Sequence, residues 1–348
     1  MSRPALEPVR QQAALMLNVI ERDKPGALER LHVDALRELD SWSEIQVIAT
    51  PEEQTDRRCS VAGGYAHRTK PPTVSVAMSA SRRRQQFTAL HEVGHHLQNN
   101  DLDLGQAVLD ADDDRFEDAA CDLFAARVLL PDDLVAACFG GRAPAASDVV
   151  ALYQRSTASR AACCVRAVEH LDSFGAVVLY TLDGTVSFAA ARGIFPPARN
   201  SDQSGTPVVA AALRHADLAD GVAITVDETV IAYSTGHTSD RLYGQAAWCD
   251  GYLVAVLVEH HAPWQPFSPP RTGSATTRTT APHVRWATCE VCTDDFEITE
   301  VCPTCGEPRC PSSHCRCTTA REKTCERCNM TYSRSMFPGG GTRCVDCA

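Results

Sequence analysis

The stretch "FTALHEVGHHLQNN", Phe87 to Asn100, carries two histidines four residues apart, His91 and His95, with a glutamate, Glu92, directly after the first. On a helix that spacing places both imidazoles on one face, one above the other. A tetrahedral zinc ion needs such a pair, a third protein ligand and a position left open for water. Glu92 lies one residue round the helix, where its carboxylate reaches that water. Bound zinc lowers the pKa of water to about 7. Glu92 then serves as general base and passes the proton to the leaving amine. Phe87, Leu90, Gly94 and Leu97 pack the helix onto a sheet, and Gly94 allows close approach. The His-Glu-x-x-His pattern is short, and a polar face on an amphipathic helix is the competing reading.

The next helical pattern, "EDAACDLFAARVLLP" (117–131), shifts the balance towards the metal site. Asp118 and Asp122 are four apart and face the same way, with Glu117 adjacent. One acid completes a metal site as third ligand, Asp118 or alternatively Glu117. Another, Asp122, orients a ligand histidine from behind. Asp112, Asp113 and Asp114 suit the N-terminal end of that helix electrostatically. His96 points off the ligand face and reads as structural or substrate-facing. Arg82, Arg83 and Arg84 read as a solvated first turn, although they oppose the helix dipole there.

The chain has 348 residues, a length that suits two or three domains, and 44 % of them are apolar, enough for ordinary cores. A net charge of -11 argues against nucleic acid as the partner of the bulk of the chain. No apolar run approaches the roughly 20 residues that cross a bilayer. The N-terminus "MSRPALEPVRQQAALML" lacks a sustained apolar core with a cleavage site. The expectation is a cytoplasmic protein with no membrane partner.

Residues 1–40 read as one or two helices. "IQVIAT", "CSVAGGYAH" and "PTVSVAMS" follow as three short strands. The histidine helix comes next, capped by Ser79 or Ser81. An acidic segment, "DLDLGQAVLDADDD", leads into the helix that ends at Pro131. Residues 147–171 read as a pair of packing helices around a polar break. "GAVVLYTLDGTVSFAAA" and "YGQAAWCDGYLVAVLVEHH" each hold Asp-Gly between apolar runs, a hairpin signal. The segment 173–262 is therefore α/β, built on an antiparallel sheet. "SPPRTGSATTRTTAPH" (268–283) has the composition of a flexible linker.

"FTALHEVGHHL" followed by "EDAACDLFAARVLLP" resembles the ImmA/IrrE metallopeptidases, and the upstream helices and strands extend the resemblance over roughly residues 10–135. Counted back from Phe124, the family's third-ligand position falls on Asp118, where the family has Glu, and its usual Asn position falls on Asp122. The resemblance implies an α+β fold with a zincin-like core of a short antiparallel sheet and an active-site helix. It implies attack by a zinc-bound water, and a protein substrate of the helix-turn-helix repressor class. It also likens 141–172 to a helical module after the peptidase core, and 173–265 to a GAF-like sensor domain with a small-molecule or signal ligand. The expected order is peptidase domain 1–140, helical module 141–172, sensor domain 173–265, linker 266–284 and cysteine-rich domain 285–348.

Of 17 cysteines, 11 follow residue 288. Cysteines clustered in pairs in a cytoplasmic chain point to zinc. Cys325, Cys328, Cys344 and Cys347 have zinc-ribbon spacing. Cys289, Cys292, Cys302, Cys305, Cys310, Cys315 and Cys317, with His314, supply eight further ligands, enough for two more ions. One catalytic and up to three structural zincs are expected. Residues 283–348 hold eight Lys/Arg against nine Asp/Glu, which favours protein docking over phosphate tracking. The leading reading is a zinc endopeptidase. The competing one is a zinc-dependent binding or transcription-regulatory protein with a vestigial peptidase core.

Overall fold

The computed structural model describes residues 6–50, 63–78, 81–111 and 115–269, and in the C-terminal part 286–288, 295–297, 310–311, 322–324, 326–327, 331–333 and 342–343. The chain divides into two compact units, Ser2–Ser274 and Ala275–Ala348 (the second also taking Met1). The first unit mixes helices and sheets, as an α+β fold requires.

Two helices open it, α1 (Leu6–Asp23) and α2 (Ala27–Asp40), separated by Gly26 with φ 74°. Their buried positions, Met16 and Ile20 on α1 and Leu31, Ala35 and Leu39 on α2, recur at helical spacing. Three strands follow, β1 (Gln46–Thr50), β2 (Gly63–Ala66) and β3 (Thr73–Ala77), in the order β1-β3-β2. The expectation of an antiparallel sheet is corrected here. β2 and β3 are antiparallel, but β1 runs parallel to β3. β3 follows β2 through a short turn and must reverse direction. β1 lies on the far side of β3, separated from β2 by a long stretch of chain, and is free of that constraint.

The histidine helix is α3 (Arg82–Asn100), capped by Ser81, whose hydroxyl accepts from Arg84 N at 3.4 Å. Asp101 ends α3 and starts α4 (Leu102–Asp110) by accepting from the backbone N–H groups of Asp103 and Leu104. That capping made a helix of a segment expected only to be acidic. α5 (Phe116–Leu129) stops before Pro131, which in turn precedes α6 (Asp132–Phe139), closed by Gly140 at φ 64°. The expected helical pair is α7 (Ala146–Arg155) and α8 (Arg160–Glu169). Arg127 on α5 and Arg166 on α8 both pair with Asp132 and Glu169, which ties α5, α6 and α8 together.

The second sheet is built from β4 (Gly175–Tyr180), β5 (Val186–Arg192), β6 (Ala223–Thr229), β7 (Leu242–Cys249) and β8 (Tyr252–Val258), with α9 (Pro207–Leu213) between β5 and β6. Its order is β5-β4-β8-β7-β6, antiparallel throughout, as expected. Both Asp-Gly signals are turns: Gly184 has φ 85°, and Asp250 and Gly251 have φ 49° and 77°. The central strands β4, β7 and β8 are apolar on both faces because both faces are covered, whereas the edge strand β6 is largely exposed. Val177, Leu179, Val254 and Val256 join the core shared with α1, α2, α3, α5, α7 and α8, while Ala176, Val178, Tyr180 and Ala255 pack with Val208 and Val209 of α9.

In the second unit, β9 (Trp286–Thr288) pairs with β10 (Asp295–Glu297), and β11 (Glu322–Thr324) with β12 (Thr331–Ser333), both antiparallel. Cys310 is buried. The other expected tail ligands, Cys289, Cys292, Cys302, Cys305, His314, Cys315, Cys317, Cys325, Cys328, Cys344 and Cys347, lie outside the described residues.

Candidate metal centre

The site forms where α3 crosses α5. Gly94 makes the crossing close: a Cβ there would stand 2.8 Å from Cys121 Sγ and 3.1 Å from Cys121 Cα. The glycine expected to bring α3 onto the sheet makes its close approach to Cys121 of α5. The contact sets the acids of α5 beside the histidines of α3.

His91 Nδ1 lies 2.8 Å from Asp122 Oδ1, and His95 Nδ1 lies 2.7 Å from Glu117 Oε1. Each carboxylate accepts the Nδ1 proton and so fixes ring orientation and tautomer. The Nε2 atoms then face one another across 3.2 Å, and Asp118 Oδ1 lies 3.3 Å from His95 Nε2. The donor atoms of His91, His95 and Asp118 all fall within 4.8 Å of one another. In the neutral Nδ1–H tautomer both Nε2 atoms are lone-pair acceptors, and the Asp118 oxygen is a third. In that tautomer the three atoms offer lone pairs to a shared cation. Ligand bonds of about 2.0–2.1 Å in a tetrahedron separate donor atoms by about 3.3–3.4 Å. The spacings of 3.2 and 3.3 Å therefore suit zinc, as does the donor set of two imidazoles and a carboxylate. Both histidines are buried, whereas the Asp118 and Asp122 side chains are 53 % and 61 % exposed, so the α5 side of the site is open to solvent.

Glu92 is fully buried, and neither of its carboxylate oxygens has a hydrogen-bond partner among the described residues. Burial raises its pKa, against the opposing pull of His91 and His95. Sequence reasoning missed what lies over it. Gly63 of β2 sits so close that a Cβ would stand 2.1 Å from Thr88 Cγ2 and 3.1 Å from Glu92 Oε1. The glycine pair in "CSVAGGYAH" was the available signal.

His96 turns away from the metal face. Its Nδ1 lies 3.0 Å from the Tyr65 hydroxyl and 3.2 Å from Asn100 Nδ2. It borders a cavity of about 180 Å³ with Lys24, Trp42 and Glu44, and burial lowers its pKa. The arginine run is not simply solvated. Arg82 pairs with Asp34 at 2.6 Å, and Arg83 Nη1 donates to the carbonyls of Ser156 and Ala158.

Residues 44–167, less than half of the chain, match the family model Peptidase_M78, described as the IrrE N-terminal-like domain. The match takes in the three-stranded sheet, α3, α5 and most of α8. A comparison with curated proteins finds no match. A solved structure titled "Mycobacterium tuberculosis transcriptional regulator" is 13 % identical and aligns over 73 % of this chain and 77 % of its own, with a TM-score of 0.41. A likeness of that degree carries no argument about function. No helix among the described residues is long and apolar enough to cross a membrane.

Proposed function

We propose that this chain is a zinc-dependent endopeptidase with His91, His95 and Asp118 as metal ligands and Glu92 as general base. The observation that carries the reading is the convergence of the His91, His95 and Asp118 donor atoms beside the buried carboxylate of Glu92, which has no hydrogen-bond partner among the described residues. Zinc held there would polarise the scissile carbonyl and lower the pKa of water. Glu92 takes a proton from the attacking water on its carboxylate and delivers it to the departing amine. Its burial favours the protonated form it must reach in mid-reaction. Asp122 and Glu117 hold the two imidazoles with Nε2 directed inward. Glu117, the alternative third ligand, is assigned to orientation instead, because its oxygen is on the Nδ1 side of His95.

The family match supports a protein substrate, which this reading takes to be a helix-turn-helix repressor. The five-stranded sheet with helices on both faces supports a GAF-like sensor for a small-molecule or signal ligand. Residues 285–348 are read as a module holding up to three structural zincs and docking protein.

The test is Glu92→Gln in a chain co-expressed with helix-turn-helix regulators that the unmodified protein cuts. Zinc content and fold should stay, and cleavage should fall by about 10²–10⁴-fold. Cleavage that persists in the zinc-loaded variant rules the mechanism out.

A further inference from the structure

The start of α3 is poorly held by local means. Its first turn carries Arg82, Arg83 and Arg84 and no acid, so the charges oppose the helix dipole, and its cap bond from Ser81 is 3.4 Å long. What holds it is long-range: Arg82 pairs with Asp34 and the Gln86 side-chain oxygen accepts from Ala35 N, both partners on α2, and Arg83 reaches a separate set of partners. Arg83 Nη1 donates to Ser156 O at 2.7 Å and Ala158 O at 2.6 Å, both in the break between α7 and α8. The Arg83 guanidinium also lies over the Tyr153 ring, 4.0 Å from its centroid.

The same ring is shared with the second sheet. Arg160 lies 4.7 Å from the Tyr153 centroid and 4.6 Å from that of Tyr252. It donates to Cys249 O at 3.0 Å and Asp250 O at 2.7 Å, and pairs with the Asp250 carboxylate. The Tyr153 hydroxyl donates to Asp250 Oδ2 at 3.0 Å. Asp250 is in the β7–β8 turn, its φ of 49° set by the tight hairpin, and its N–H donates to Asp220 Oδ2 at 2.7 Å. An unbroken series of charge-assisted and aromatic contacts thus runs from that turn to the first turn of the histidine helix.

We propose that Arg83 is a positioning residue for the metal centre, held by Tyr153, Arg160 and Asp250, so that the β7–β8 turn sets the placement of α3 and with it His91, Glu92 and His95. The proposal rests on the peptidase reading of that centre for its functional meaning, but the coupling is physical and measurable without substrate. A helix moves as a rod, and a shift at Arg83 reaches His91 about two turns on.

The experiment is hydrogen exchange read by mass spectrometry on the full chain. Arg83→Lys keeps the charge but loses the planar fork that reaches two carbonyls and stacks on Tyr153. Asp250→Asn and Tyr153→Phe are gentler, and the hydrogen bonds of Asp250 go to Tyr153, Arg160 and Asp220. In all three variants exchange should rise in peptides covering 82–92, by about tenfold for Arg83→Lys if about 1.4 kcal/mol of local holding is lost. Peptides of α5 should be unchanged. The Arg83→Lys/Asp250→Asn double variant should exchange no faster at 82–92 than Arg83→Lys alone, because one route is broken twice. Unaltered exchange at 82–92 in both Asp250→Asn and Tyr153→Phe overturns the proposal. So does a uniform rise across α3 and α5, which marks loss of global stability. Neither result bears on the peptidase reading, which the Glu92→Gln cleavage test decides separately.

Discussion

Replacing Glu117 by alanine removes the oxygen that lies 2.7 Å from His95 Nδ1. Asp122→Ala removes its counterpart, 2.8 Å from His91 Nδ1. Neither change touches a proposed ligand atom. Each frees a ring to rotate and to carry its proton on the wrong nitrogen. Losing such a partner typically weakens metal binding by about 10–100-fold, or about 1.4–2.8 kcal/mol. Glu117 should lie at the upper end and Asp122 at the lower, because their side chains are 39 % and 61 % exposed and solvent weakens the more exposed contact. Asp118→Ala deletes one of three converging donors and should weaken binding by more than either. The assay is competition for zinc against a chromophoric chelator, on a chain ended after Ser274 so that the tail cysteines contribute nothing. Circular dichroism on each variant checks the fold. If Asp118→Ala retains zinc as tightly as the unmodified chain while Glu117→Ala loses it, the third ligand is Glu117 and the assignment is one residue off. If none of the three alters affinity, the convergence of His91, His95 and Asp118 is not a metal centre.

Glu92→Gln should also stabilise the metal-free protein at neutral pH, because it keeps the shape of the side chain and removes the charge whose burial raises the Glu92 pKa. Burial raises the folded-state pKa of Glu92, so the ionised carboxylate destabilises the fold above that pKa, and the penalty fades as pH falls through it towards the unfolded value. The melting-temperature gap between variant and parent should therefore narrow in acid, and a constant gap contradicts the assignment. Gly63→Ala places a Cβ 2.1 Å from Thr88 Cγ2, and an overpacking loss of about 1–3 kcal/mol should appear in chemical denaturation; an unchanged midpoint would refute the close approach. Gly94→Ala should push α3 from α5 at Cys121 and weaken zinc binding more than Gly105→Ala does, as the same chelator competition reads out. Metal analysis of the chain ended after Ser274 should find about one zinc and the full chain up to about three more, whereas equal contents would remove the tail from the zinc-binding account.

The sequence by itself determined what depends on local periodicity. The four-residue spacing of His91 and His95, and of Asp118 and Asp122, places each pair on one helix face whatever else the chain does. Asp-Gly between apolar runs sets a hairpin through the backbone conformation those residues tolerate, and both turns are where it puts them. Even the helical pair of 147–171 was legible, because its polar break interrupts two apolar stripes. α4 and α6 were less so: Asp101 capping and the restart after Pro131 are single-residue signals in segments without a strong stripe. Only the tertiary structure decided how α5 is rotated against α3. That rotation puts Glu117 on the Nδ1 side of His95 and Asp118 on the Nε2 side, a distinction between adjacent residues that spacing on one helix cannot make. The same holds for β1 running parallel to β3, for Gly63 lying over Glu92, and for Arg83 reaching Ser156 and Ala158. Each of these joins residues distant in the chain, and the joining is set by how whole elements pack, at contacts such as Gly94 against Cys121, rather than by the preferences of any one segment.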